Sequence, residues 1–185
     1  MPAVSDSGPL IHLAQTNQVK LLKRIFGSIL IVPAVEREVV DEGFRGSYPD
    51  AKLVAEALEE GYIIVRRIDS RISNRASRLA RREKISEADS QTLLLAKTLR
   101  KPLLTDEKIL STLAKMYGLD AWNTWTVLLE ALRTKLIEKH EIHQAISELG
   151  DRRHKLSSSY AKQVLGAADR ITASRTSNRS KTLRG

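Results

Sequence analysis

Acidic residues follow two short apolar runs in this chain, and their placement suggests a chemistry. Asp6 comes directly after Ala3-Val4-Ser5, and Asp106-Glu107 directly after Pro102 to Thr105. If both runs are strands of one open parallel sheet, these acids sit outside the carboxyl ends of the strands, where such sheets bind ligands. Two helices can add to them. Glu38 lies about one and a half turns into a helix that begins after a strand ending at Val32, and Asp89 lies in the first turn of a helix starting near Ser86. Asp89 leads into Leu93-Leu94-Leu95, so part of its helix is buried, and an acid entering such a helix needs a partner. Clustered carboxylates repel unless a cation joins them or protons neutralise them. Hard oxygen ligands suit Mg²⁺ or Mn²⁺, which activate bound water and stabilise the attacking and leaving oxygens of a phosphodiester displacement. A set with no cysteine and no required histidine points to phosphodiester hydrolysis rather than acyl transfer. Taken singly, each acid also reads as a helix cap, a first-turn dipole partner or a solvated side chain. Their joint placement favours the site.

The elements that must position these acids alternate. Ala3 to Ser5, Ser28 to Val32, Tyr62 to Ile68, Pro102 to Thr105 and Leu119 to Trp122 read as strands. Helices are expected over Leu10 to Ala14, Val19 to Ile25, Ala34 to Val40, Ala51 to Glu60, Ser73 to Lys84, Ser86 to Leu99, Glu107 to Met116, Thr124 to Leu136 and Glu141 to Leu149. Ser86 with Asp89 three residues on resembles a capping box. Glu42 to Pro49, with two glycines and a proline, reads as a loop. Strands alternating with helices imply a mainly parallel sheet covered on both faces. Residues 1–150 are expected to form this domain and 151–185 an extension. Ser157 to Ala168 suits one more helix, and Thr172 to Gly185, basic and without acids, suits an unstructured tail carrying Arg175, Arg179, Lys181 and Arg184.

At 185 residues the chain can bury a core without staples, and without cysteine it has no disulfides or thiolate metal sites. No signal-peptide pattern opens it and no apolar run approaches a membrane span, so a soluble, cytoplasmic protein without a membrane partner is expected. A net charge of +9 favours a polyanionic partner, while 4% aromatic content argues against a surface built on base stacking. Arg71, Arg75, Arg78 and Arg82 fall on one helix face, either as an RNA-backbone stripe or as a solvated face. His140 and His143 are one turn apart but lack a third ligand, and His12 and His154 carry no signal. Trp122 and Trp125 read as packing residues.

Four segments in order resemble the PIN-domain family of ribonucleases: Val4-Ser5-Asp6-Ser7-Gly8-Pro9-Leu10-Ile11, Val32-Pro33-Ala34-Val35-Glu36-Arg37-Glu38-Val39, Ile85-Ser86-Glu87-Ala88-Asp89 running into Leu93-Leu94-Leu95-Ala96, and Leu103-Leu104-Thr105-Asp106-Glu107. The tract Gly118 to Thr124 looks like the family's last strand and turn. The resemblance spans residues 3 to about 136. It implies a three-layer α/β/α sandwich and a Mg²⁺- or Mn²⁺-dependent endoribonuclease. It carries metal-site and catalytic roles onto Asp6, Glu38, Asp89 and the Asp106/Glu107 pair, with Ser7 and Thr105 as supporting residues. Glu38 is preferred to Glu36 because the family's acid stands just before the second valine of that segment. The fourth segment leaves open whether Asp106 or Glu107 is the acid. RNA is then the substrate, with an antitoxin protein or a second copy of the chain as further partners. Two other readings stand beside this one: the toxin of a toxin–antitoxin pair, and an RNA-binding module that has lost catalysis. A phosphatase using Asp6 as nucleophile would need an acid two residues on, where Gly8 stands.

Overall fold

The computed structural model describes residues 1–151 and 156–182. His154 and Arg184, and the side chains of Arg179 and Lys181, lie outside the described residues. Two compact units are distinguished, Met1–Thr124 and Trp125–Gly185.

The first unit is built on five parallel strands: β1 (Ala3–Ser5), β2 (Ile29–Ile31), β3 (Ile63–Val65), β4 (Leu103–Leu104) and β5 (Ala121–Trp122), in the spatial order β3-β2-β1-β4-β5. Strand β1 matches its expected run, while β2 to β5 are shorter than the runs that signalled them, because the ladder ends where the chain turns into each crossover. Between β1 and β2 run α1 (Ser7–Gln15) and α2 (Lys20–Phe26); between β2 and β3 run α3 (Pro33–Glu36), a π-helical turn (Arg37–Glu42), α4 (Gly43–Arg45) and α5 (Pro49–Glu59). The pair α6 (Ser70–Glu83) and α7 (Glu87–Leu99) joins β3 to β4, and α8 (Lys108–Met116) joins β4 to β5. Strand order runs one way from β1 to β3 and the other way from β4 to β5. Right-handed crossovers therefore place α1 to α5 on one face and α6 to α8 on the other. Helix α1 packs on α5, and α7 packs on α6, α8 and β1. The result is the three-layer α/β/α sandwich. Its core holds Leu10, Leu22, Ile29, Ile31, Ile63, Leu93, Leu103, Leu104 and Leu110, all essentially inaccessible to solvent.

Local signals explain the element ends. Ser86 and Asp89 form the full capping box of α7, with both reciprocal hydrogen bonds present. Helix α6 starts earlier than expected, because the carboxylate of Asp69 accepts the Ile72 N–H at 2.8 Å and so caps the helix ahead of Ser73. The expected loop from Glu42 to Pro49 is partly helical. The π-turn feeds directly into α4, and Gly43 permits it: a Cβ there would stand 2.6 Å from the Ala51 Cβ, so only glycine lets α4 approach α5. Phe26 and Trp122 meet edge to face at 5.3 Å, the packing role expected of Trp122.

In the second unit, α9 (Thr124–Arg133) ends earlier than expected, followed by α10 (Lys139–Asp151) and α11 (Ser158–Thr182). Ile142, Ala145 and Leu149 of α10 and Val164 and Ala168 of α11 are buried, and α10 packs on α11. Helix α11 continues past Ala168 to Thr182, so residues 172–182 are helical where composition suggested an unstructured tail. Ion pairs explain part of this. Lys139 pairs with Asp169, and Arg175 lies 3.8 Å from the Glu138 carboxylate. Among the described residues, no helix is long and apolar enough to cross a membrane.

Candidate active site

Strand order reverses at β1, so the carboxyl ends of β1 and β4 flank the topological switch point of the sheet. The register Val4↔Leu103 and Ser5↔Leu104 brings the residues after the two strands together. Asp6 leaves β1 in an extended conformation and caps α1, its Oδ1 accepting the Gly8 N–H at 3.1 Å. A cap is usually solvated, but Asp6 is only 3% exposed. Its Oδ2 accepts a hydrogen bond from the buried Thr105 hydroxyl, whose oxygen in turn accepts the Glu107 N–H at 3.1 Å. Burial pushes the Asp6 carboxyl up to about 8; the Thr105 hydrogen bond opposes this, and the Asp106 and Asp89 charges add to it.

Asp106 follows Thr105 and is held differently. Its Oδ1 accepts the Thr124 N–H at 2.9 Å, and its Oδ2 accepts the Thr124 hydroxyl at 2.6 Å and lies 2.7 Å from His12 Nδ1. Burial acts to raise this carboxyl, but the hydrogen bonds from His12 and Thr124 outweigh it and hold the group below the ordinary carboxylate range. Asp106 therefore stays ionised beside an Asp6 that resists ionisation. Gly8 lies between them: a Cβ there would be 3.4 Å from Asp106 Oδ2 and 3.6 Å from Asp6 Oδ1.

The other expected site residues divide. Asp89 reaches Asp6 through its charge, while its Oδ2 accepts the Ser86 N–H at 3.3 Å. Glu107 stands at the start of α8 and gives the site only its N–H, to Thr105, whereas the Asp106 carboxylate faces Asp6 across Gly8. Glu38 is exposed in the π-turn and forms no hydrogen bond or ion pair among the described residues. π-Turns recur at functional sites, where the extra residue re-aims side chains. Ser7 is half-buried in the first turn of α1, next to the cap. Among the described residues, no three His, Cys, Asp or Glu side chains form a ready-made metal cluster. Arg71, Arg75, Arg78 and Arg82 are all exposed on α6 and form no hydrogen bond or ion pair with these acids. His140 and His143 are exposed on α10.

Two residues of the site escaped the sequence reading. His12 carries no pattern of its own, yet it lies four residues after Gly8 and so shares its face of α1. Thr124 stood in the tract recognised as the last strand and turn, but nothing in the residue order says that its N–H and hydroxyl both converge on Asp106.

A PIN-domain family model matches residues 2–170. Among solved structures, a PilT N-terminus domain protein from the hyperthermophilic archaeon Sulfolobus solfataricus is similar at 17% identity and a TM-score of 0.47, over 71% of this chain and 94% of that one. No curated protein matches. The family match covers most of the length, and the chain belongs to the PIN-domain family, whose members are generally nucleases.

Proposed function

We propose that this protein is a metal-dependent endoribonuclease that hydrolyses RNA phosphodiester bonds at the Asp6–Asp106 edge of the sheet. One observation carries the reading most: a buried Asp6 pushed up to about 8 beside an Asp106 held ionised, with only a glycine between them. Such a pair is strained without a cation. The donor set fits Mg²⁺ or Mn²⁺, being all carboxylate oxygen. The lack of a closed cluster is also compatible, since Mg²⁺ commonly takes one or two carboxylates and keeps several waters.

Asp6 and Asp106 would hold the ion, with Asp89 and Glu38 contributing from the starts of their helices. When bound, the ion supplies an activated water and stabilises the leaving oxygen. Thr105 orients Asp6, and His12 and Thr124 orient Asp106, so both carboxylates are positioned before substrate arrives.

Cleavage of a panel of single-stranded and structured RNAs by the purified chain, with Mn²⁺, Mg²⁺ or EDTA, tests this. Metal-dependent cutting by wild type that is lost in Asp6→Asn and Asp89→Asn is the expected result. A second reading, an RNA-binding module without catalysis, is favoured by the hydrogen bonds already made to both Asp106 oxygens. RNA binding in EDTA with no cutting under either metal would decide for it.

A further inference from the structure

A cluster of cations lies at the opposite edge of the sheet from the acids. A cleft of about 580 Å³ is lined by Arg75, Lys97, Arg100 and Lys101, with Tyr117 at its side and Asp120 its single acid. Lys101 and Pro102 precede β4 and Asp120 precedes β5, so this is the amino edge of the strands. A second cleft of about 380 Å³ adjoins it, sharing Arg75 and Tyr117 and adding Arg78 and Arg82. Arg82 lies seven positions beyond Arg75 on α6, about 10 Å along the helix, with Arg78 between them.

The arrangement is built for anions. Among the described residues, Arg75, Arg78, Lys97, Arg100 and Lys101 form no ion pair; only Arg82 does, with Glu83 at 2.6 Å. Five cations without an ion-pair partner converge on the two joined clefts and repel one another, with Asp120 the single acid in the lining. Lys97 is also held in place, its Nζ 3.6 Å from the centre of the Tyr117 ring. Exposed large apolar side chains, the usual anchors of a protein partner, are missing from the lining apart from Met1. A row of guanidinium groups suits successive phosphates rather than a single one.

We infer that the joined clefts around Tyr117 bind the phosphodiester backbone of single-stranded RNA, at a site separate from the acidic edge. That the polyanion is RNA rests on the nuclease reading. The clefts lie beside the C-terminal end of α7, while Asp89 stands in its first turn, eight residues or about 12 Å away along the helix. A strand held in the clefts is thus within a few nucleotides of the acids.

Fluorescence anisotropy with a labelled 12-nucleotide single-stranded RNA, in EDTA so that no cleavage intervenes, tests the inference. The variant is Arg75→Gln/Arg100→Gln/Lys101→Gln. The control, Lys20→Gln/Arg24→Gln/Lys52→Gln, removes the same charge from exposed positions elsewhere. Thermal melting verifies that both fold. The expected result is a roughly tenfold or greater loss of affinity for the cleft variant at low salt, with the slope of log affinity against log salt falling by about 2. The control should change by less than about threefold. Equal losses in the two variants, an unchanged cleft variant, no RNA binding by wild type, or displacement of the RNA by AMP at equal phosphate would each overturn it. Failure of the nuclease reading is seen separately, as absence of metal-dependent cutting.

Discussion

His12 on α1 lies 2.7 Å from Asp106 after β4, joining residues 94 positions apart in the chain. Asp106 is a carboxylate below its ordinary range and offers only acceptors, so the imidazole Nδ1 carries the proton between them. The pair fixes the ionised acid of the site from the helix that the other acid, Asp6, caps. His12→Ala should therefore leave the fold intact and weaken Mn²⁺ binding by about tenfold, the usual size of an effect from a residue that orients a ligand. His12→Gln, which keeps a donor, should recover part of it. Calorimetric titration with Mn²⁺ decides, and wild-type affinity in His12→Ala would remove the orienting role.

Gly8 separates the two acids, and a methyl group there would fill the space between them. Gly8 is helical in the first turn of α1 without a positive φ, but it precedes Pro9, whose Cδ crowds a Cβ on a helical residue before it. This offsets the gain in helix propensity, so Gly8→Ala should stay within about 1 kcal/mol of wild type in stability. Metal affinity should fall at the same time. A melting temperature within a few degrees of wild type with Mn²⁺ binding lost is the expected combination; retained binding would mean that the ion does not approach between Asp6 and Asp106.

Thr105 supplies the hydrogen bond that opposes burial at Asp6. Thr105→Val keeps the shape and removes the hydroxyl, leaving a buried acceptor unmatched at a cost of about 1–3 kcal/mol. The Asp6 carboxyl should then move further up, so that Mn²⁺ binding requires a higher pH than in wild type. A binding-against-pH curve that superimposes on the wild-type curve would contradict this.

Metal-free stability should depend on Asp6 with a definite sign. The folded carboxyl titrates near 8 and the unfolded one near 3.8, so between these values the folded state keeps a proton that the unfolded state has lost. Stability contributed by this group is full below about pH 4 and is lost as pH rises toward 8. In EDTA, the melting temperature of wild type relative to Asp6→Asn should fall by roughly 10 °C or more across that window. Adding Mn²⁺ at pH 8 should restore it. Parallel melting curves for the two proteins across the window would show that Asp6 is not titrating there.

Much of the framework was legible in residue order, because it depends on local physics. Alternating apolar runs and helical periodicity reveal the strands and helices, and the Ser86–Asp89 cap forms from residues three apart. The positions of Asp6 and Asp106 at strand ends could also be read, since a parallel sheet puts all its strand ends on one edge. The tertiary structure alone decided which acids meet. Strand order set β1 beside β4, and with it the Thr105–Asp6 contact across 99 positions. It also turned Asp106 rather than Glu107 toward Asp6, brought His12 and Thr124 onto Asp106, and left Glu38 exposed in a π-turn that helical periodicity does not signal. Spacing along a chain encodes which residues share a face of one element. Which faces come together is set by register and crossover, and those are fixed only when the core packs.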